Sequence, residues 1–112
     1  MQRNEVVIQD IINAARLVTE FVKGFDKDTF INDWKTRSAV LYQLTVIGEA
    51  VKRLSKEFRG QYGEIPWTLI AGMRDNLIHG YDLIDWDEVW KTSTVDIPDL
   101  LSRVESFSKK SS

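Results

Sequence analysis

Two apolar stripes at helical spacing constrain this chain more than any other feature. Val7, Ile11, Ala14, Val18, Phe21 and Phe25 recur at alternating steps of four and three. Val40, Leu44, Ile47, Val51, Leu54 and Phe58 repeat the alternation. Such steps gather side chains on one face of an α-helix, whereas a strand would scatter them over both faces. Each helix must then bury its stripe against a neighbour. Two long helices joined by a short connection read as an antiparallel pair. Gly24, ahead of "FDKD", ends the first helix or loosens its last turn. Asp33 is the candidate N-cap of the second, whose pattern runs up to Gly60 and Gly63.

The rest of the chain keeps the helical period. Pro66 suits a first turn, where its missing amide costs nothing, and Pro66, Ile70, Met73 and Leu77 form the expected buried face up to Gly80. Asp85 is expected to cap a helix opening with Trp86, Val89 and Trp90, and Pro98 to break or kink it. A last amphipathic piece carries Leu101, Val104 and Phe107. There is no strand pattern and no repeat. The expected fold is all-α, an up-and-down bundle of four to five helices, with one domain over residues 1–108 and a frayed tail over 109–112. Gly48, inside the second helix, costs about 1 kcal/mol relative to alanine. It therefore marks a close approach of another backbone, within the bundle or between subunits.

Composition excludes several function classes. No apolar run in the 112 residues approaches the ~18–20 needed to span a bilayer. Charges interrupt the first apolar stretch, so no signal peptide or membrane partner is expected, and the cytoplasm is the expected compartment. There is no cysteine and one histidine, which argues against a disulfide framework, a thiolate nucleophile and a dedicated metal site. No cofactor is called for. A net charge of −2 does not resemble a general nucleic-acid binder, which is usually basic, yet it leaves room for local RNA contact. Lys52, Arg53, Lys56 and Arg59 form the densest basic cluster. Three of them, Lys52, Lys56 and Arg59, fall on one helical face and read as solvated surface.

The single histidine sits in "RDNLIHGY", Arg74 to Tyr81. Asp75 and His79 are four apart and would share a helix face within pairing reach. Arg74 and His79 are five apart, about 140° around a helix at ~100° per residue. They converge only if the helix ends or tightens near Gly80, or if a second subunit completes the site. At a helix C-terminus beside Asp75, an imidazole is favoured in its protonated form, as a proton donor needs. Arg74 would supply a fixed charge for a phosphate. The same residues also admit a plain structural role, with His79 as a cap, the Asp–His pair as a surface contact and Tyr81 as a core or interface aromatic.

Arg74-x-x-x-x-His79-x-Tyr81 resembles the signature of the HEPN superfamily, and of the HepT-like toxins in particular. "IGEA" (47–50), "IPW" (65–67), "AGMRDNLIHGYDLID" (71–85) and "VW" followed by "IPDL" (89–90 and 97–100) fit the same family in order and spacing. The resemblance spans about residues 3 to 107. It implies an all-helical homodimer whose paired motifs face one cleft and act as a metal-independent ribonuclease on an RNA substrate. It further implies the toxin component of a type VII toxin–antitoxin system. The partner would be an MntA-like minimal nucleotidyltransferase antitoxin that transfers AMP to the motif tyrosine. On this chain Arg74 and His79 would be the catalytic pair, Asp75 and Asn76 supporting residues, and Tyr81 the site of AMPylation. The alternative is a non-catalytic nucleotide- or RNA-binding module that docks a nucleotidyltransferase.

Overall fold

The computed structural model describes residues 3–79 and 83–111, with side chains up to Phe107. The fold is all-α. α1 (Arg3–Val22) and α3 (Trp34–Lys52) are the long helices that the stripes require. Between them lies a short α2 (Lys27–Asn32), entered through Gly24 at φ 84 and a capping box. In that box the Thr29 amide donates to the Asp26 carboxylate at 2.9 Å, and the Asp26 amide donates to the Thr29 hydroxyl at 3.0 Å. Asp33 caps α3 as expected, accepting from the Thr36 amide at 3.0 Å. The antiparallel sense of the pair is fixed at its ends. Asn4, near the start of α1, exchanges hydrogen bonds with Ser55 just past α3, and Asp10 pairs with Arg53.

The second stripe does not belong to one continuous helix. α3 stops at Lys52, and Ser55 caps a new helix, α4 (Lys56–Gln61), by accepting from the Phe58 amide at 3.1 Å. Leu54 still reaches the core because the chain turns without losing its apolar phase. The break also divides the basic cluster. Lys52 pairs with Glu49, Arg53 with Asp10, and the Arg59 guanidinium donates to the Val51 carbonyl at 2.9 Å, closing the end of α3. The shared basic face read from helical spacing is therefore absent.

The expected third helix is also two pieces, α5 (Trp67–Ala71) and α6 (Met73–Leu77), separated at Gly72. Pro66 is exposed at the N-cap position, and its neighbours Ile65 and Trp67 are buried instead, with the Trp67 indole donating to the Tyr62 carbonyl at 3.1 Å. Gly48 is where α5 meets α3. A Cβ there would lie 3.3 Å from the Ile70 carbonyl oxygen and 3.7 Å from that of Ala71. The close approach is thus within the bundle.

The C-terminal arm is α7 (Trp86–Lys91), a π-helical turn over Thr92–Asp96, and α8 (Ile97–Ser111). Pro98 is expected to break or kink this arm, and the regular helix is interrupted just ahead of it, by the wide turn that ends at Asp96. Proline lacks an amide and its ring crowds the carbonyl four residues back. In the wide turn the Ile97 amide reaches back five residues to the Thr92 carbonyl, and Pro98 falls in the first turn of α8, where a missing amide costs nothing. The buried Ser93 and half-buried Thr94 hydroxyls donate to the Val89 and Trp90 carbonyls at 2.7 and 2.8 Å. α8 extends to Ser111, into the stretch expected to fray. The core runs along α1, which packs against both α3 and α8, with Ile11, Ala15, Val18, Leu44, Ile47, Val51, Val89 and Val104 fully enclosed. Among the described residues no helix is long and apolar enough to cross a membrane.

Candidate functional site

The site segment is built by the end of α6. Met73 and Leu77, four apart, turn inward and are buried. That leaves Arg74, Asp75 and Asn76 on the exposed side of a helix barely more than one turn long. The Ile78 amide closes the helix by donating to the Arg74 carbonyl at 2.9 Å, and Ile78 itself is extended, at φ −118 and ψ 112. The helix therefore ends at Leu77, before His79 rather than at Gly80.

A short antiparallel bridge follows. Ile78 pairs with Ile84, flanked by the His79 amide on the Leu83 carbonyl at 2.6 Å and the Asp85 amide on the Leu77 carbonyl at 2.8 Å. Alternation along extended backbone then decides the side-chain directions. Ile78 and Ile84 pack against the core, while His79 and Leu83 are exposed. Asp85 turns the chain into α7 as predicted, its carboxylate accepting from the Glu88 amide at 3.0 Å.

This geometry revises three expectations. The 140° separation of Arg74 and His79 no longer applies, because the two residues do not share a helix. The i, i+4 relation of Asp75 to His79 fails for the same reason, and so does the placing of His79 in the last turn of a helix. Among the described residues, the side chains of Arg74, Asp75, Asn76 and His79 have no hydrogen-bond or ion-pair partner, including one another. Arg74 keeps all its guanidinium donors free for an oxyanion, and His79 holds an accessible imidazole beside a backbone amide anchored to the Leu83 carbonyl. Tyr81 and Gly80 lie outside the described residues. Glu49, on the exposed side of α3, is taken up by Lys52 at 3.0 Å.

Sequence reasoning missed the bridge and the aromatic anchor behind it. The signal was present as two isoleucines, Ile78 and Ile84, on either side of a glycine in the sequence, but it is too short to show a period of two. Trp86, the first residue of α7, lies under the Arg37 guanidinium at 4.4 Å from ring centre to Cζ. Trp90 meets the fully buried Phe30 at 5.1 Å.

The family model described as ribonuclease HepT-like matches residues 11–107. The chain belongs to this family. Among the relatives of this HepT-like chain is "Probable ribonuclease HepT" of Thermococcus cleftensis, 40% identical over 91% of the chain and 93% of the relative. A protein of Caldanaerobacter subterraneus subsp. tengcongensis, named provisionally as an RNase, is 38% identical over 92% of each. One from Methanocaldococcus jannaschii, named in the same way, is 39% identical over 91% of the chain and 88% of the relative. No solved structure matches this HepT-like chain.

Proposed function

We propose that this HepT-like chain is a metal-independent endoribonuclease acting in the cytoplasm, with Arg74 and His79 as its catalytic pair. The observation that carries the reading is that, in a chain of this family, both side chains face solvent from adjoining segments with no internal partner among the described residues. A structural cap or surface pair would have engaged them. RNA supplies its own nucleophile, so the protein need only manage charge and protons. The 2′-hydroxyl loses its proton and attacks the adjacent phosphorus. The bond from phosphorus to the 5′-oxygen breaks, that oxygen takes up a proton, and a 2′,3′-cyclic phosphate remains. Arg74 stabilises the charge on the phosphoryl oxygens. His79 moves a proton to or from the reacting oxygens.

One histidine serves poorly as both acid and base, so a homodimer with two motifs over one cleft is the active form. Asp75 and Asn76, exposed beside Arg74, support RNA placement rather than the imidazole. The chain acts as the toxin of a toxin–antitoxin pair. An MntA-like minimal nucleotidyltransferase silences it by joining AMP to Tyr81, which adds bulk and negative charge two residues from His79. The non-catalytic alternative uses the same free Arg74 to hold RNA without cutting it.

Labelled RNA incubated in EDTA with the wild-type chain and with His79→Ala separates the readings. The proposal expects cyclic phosphate ends that disappear with the substitution. RNA bound but uncut by a wild-type chain of unmodified mass would reject the enzyme in favour of the binding module.

A further inference from the structure

Among the described residues, the segment bearing His79 is held to the return segment by two backbone hydrogen bonds and to the core by the half-buried Ile78 and Ile84. The return segment leads through Asp85 into Trp86, whose ring carries a cation. Arg37, in the first turn of α3, sets its guanidinium 4.4 Å from the ring centre and donates from Nη1 to the Ile31 carbonyl at 2.7 Å. Its Nε is inaccessible and has no hydrogen-bond partner, and Arg37 has no carboxylate partner among the described residues. A half-buried cation without a counter-ion is costly unless something compensates it, and here the indole face does so.

We propose that Arg37 is a positioning residue for His79, acting through Trp86 and the 78–84 bridge. The inference rests on the reading of His79 as a functional group. The Ile31 carbonyl fixes the guanidinium, the guanidinium holds Trp86, and Trp86 fixes Asp85. The Asp85 amide then grips the Leu77 carbonyl at the base of the bridge. Removing the cation frees the ring, and the opening passes to the His79 segment before it reaches the α1 core.

The test is amide hydrogen exchange by NMR on the full chain, comparing wild type with Arg37→Met and Arg37→Lys. The probes are the His79 and Asp85 amides, with those of Val18 and Leu44 as core controls. Arg37→Met is expected to speed exchange at the two bridge amides by about tenfold, the scale of one partly desolvated cation–π contact, with core amides unchanged. Arg37→Lys, which keeps the cation, restores part of the protection. In RNA cleavage, Arg37→Met lowers kcat at unchanged KM. Unchanged bridge exchange, or equal acceleration in the core, overturns the proposal. So does a rise in KM with kcat intact, which would make Arg37 an RNA contact. A wild-type chain without ribonuclease activity defeats the earlier reading and leaves the exchange result to decide this one.

Discussion

Replacing Gly48 by alanine sets two calculable effects against each other. Alanine in a helix interior is favoured over glycine by about 1 kcal/mol. Against this, the added Cβ would stand 3.3 Å from the Ile70 carbonyl oxygen, 3.7 Å from that of Ala71 and 4.0 Å from Met73 Cε. The methionine tip moves cheaply. The two carbonyls do not, because they are backbone of α5, and the Gly72 amide already engages Ile70 and Thr68. Relief requires α5 to shift by a few tenths of an ångström, at the cost of about 1–3 kcal/mol typical of overpacking. The balance is a loss of about 0–2 kcal/mol, centred near 1, or a Tm lower by about 4 °C in a domain of this size. Because α6 follows α5 directly, Arg74 moves with it, so RNA cleavage well below Tm should also fall. Thermal unfolding by circular dichroism and single-turnover cleavage read the two effects. A Gly48→Ala variant that gains the full 1 kcal/mol of propensity with unchanged cleavage would refute the argument, since it would mean that the helices separate freely there.

Two further substitutions test the connections. Ser55→Ala removes both the cap of α4 and the acceptor for Asn4, and should cost about 1–2 kcal/mol, seen as a lower urea midpoint at unchanged m. The Thr29 backbone amide, and after it the Thr29 hydroxyl, hold the Asp26 carboxyl below its ordinary value. A folded pKa below the unfolded one means that the carboxylate's contribution is present above the ordinary aspartate value and fades as pH falls through the folded one. Tm measured from neutral pH down through about pH 4 and below should show the gap between wild type and Asp26→Asn narrowing toward acid. A gap independent of pH would show that the charge at this cap contributes nothing.

The sequence conveyed the fold where one rule acted alone. Asp33 and Asp85 cap as their positions predict, and the buried stripe of α1 from Val7 to Val18 follows the expected spacing. Errors arose where a local break preserved the apolar phase. Ser55 interrupts α3 while Leu54 stays buried, and Gly72 splits a helix whose inward residues still include Met73 and Leu77. Pro98 marked an interruption whose form, a π-helical turn just before it, the spacing did not show. At the candidate site, the helical extrapolation misplaced His79. A single bridged pair, Ile78 with Ile84, ended α6 early, and one pair is too short to appear as a pattern.

The position of α1 between α3 and α8 has a consequence for how the chain is made. The face that α1 presents to α8 stays open until residues as late as Val104 and Phe107 have been synthesised, on the order of 10 s after α1 itself at about 5–20 residues per second. During that interval the nascent α1–α3 hairpin carries a wet apolar flank, a natural target for a chaperone at the ribosome. A stop codon early in α8, ahead of Val104, would make that exposure permanent.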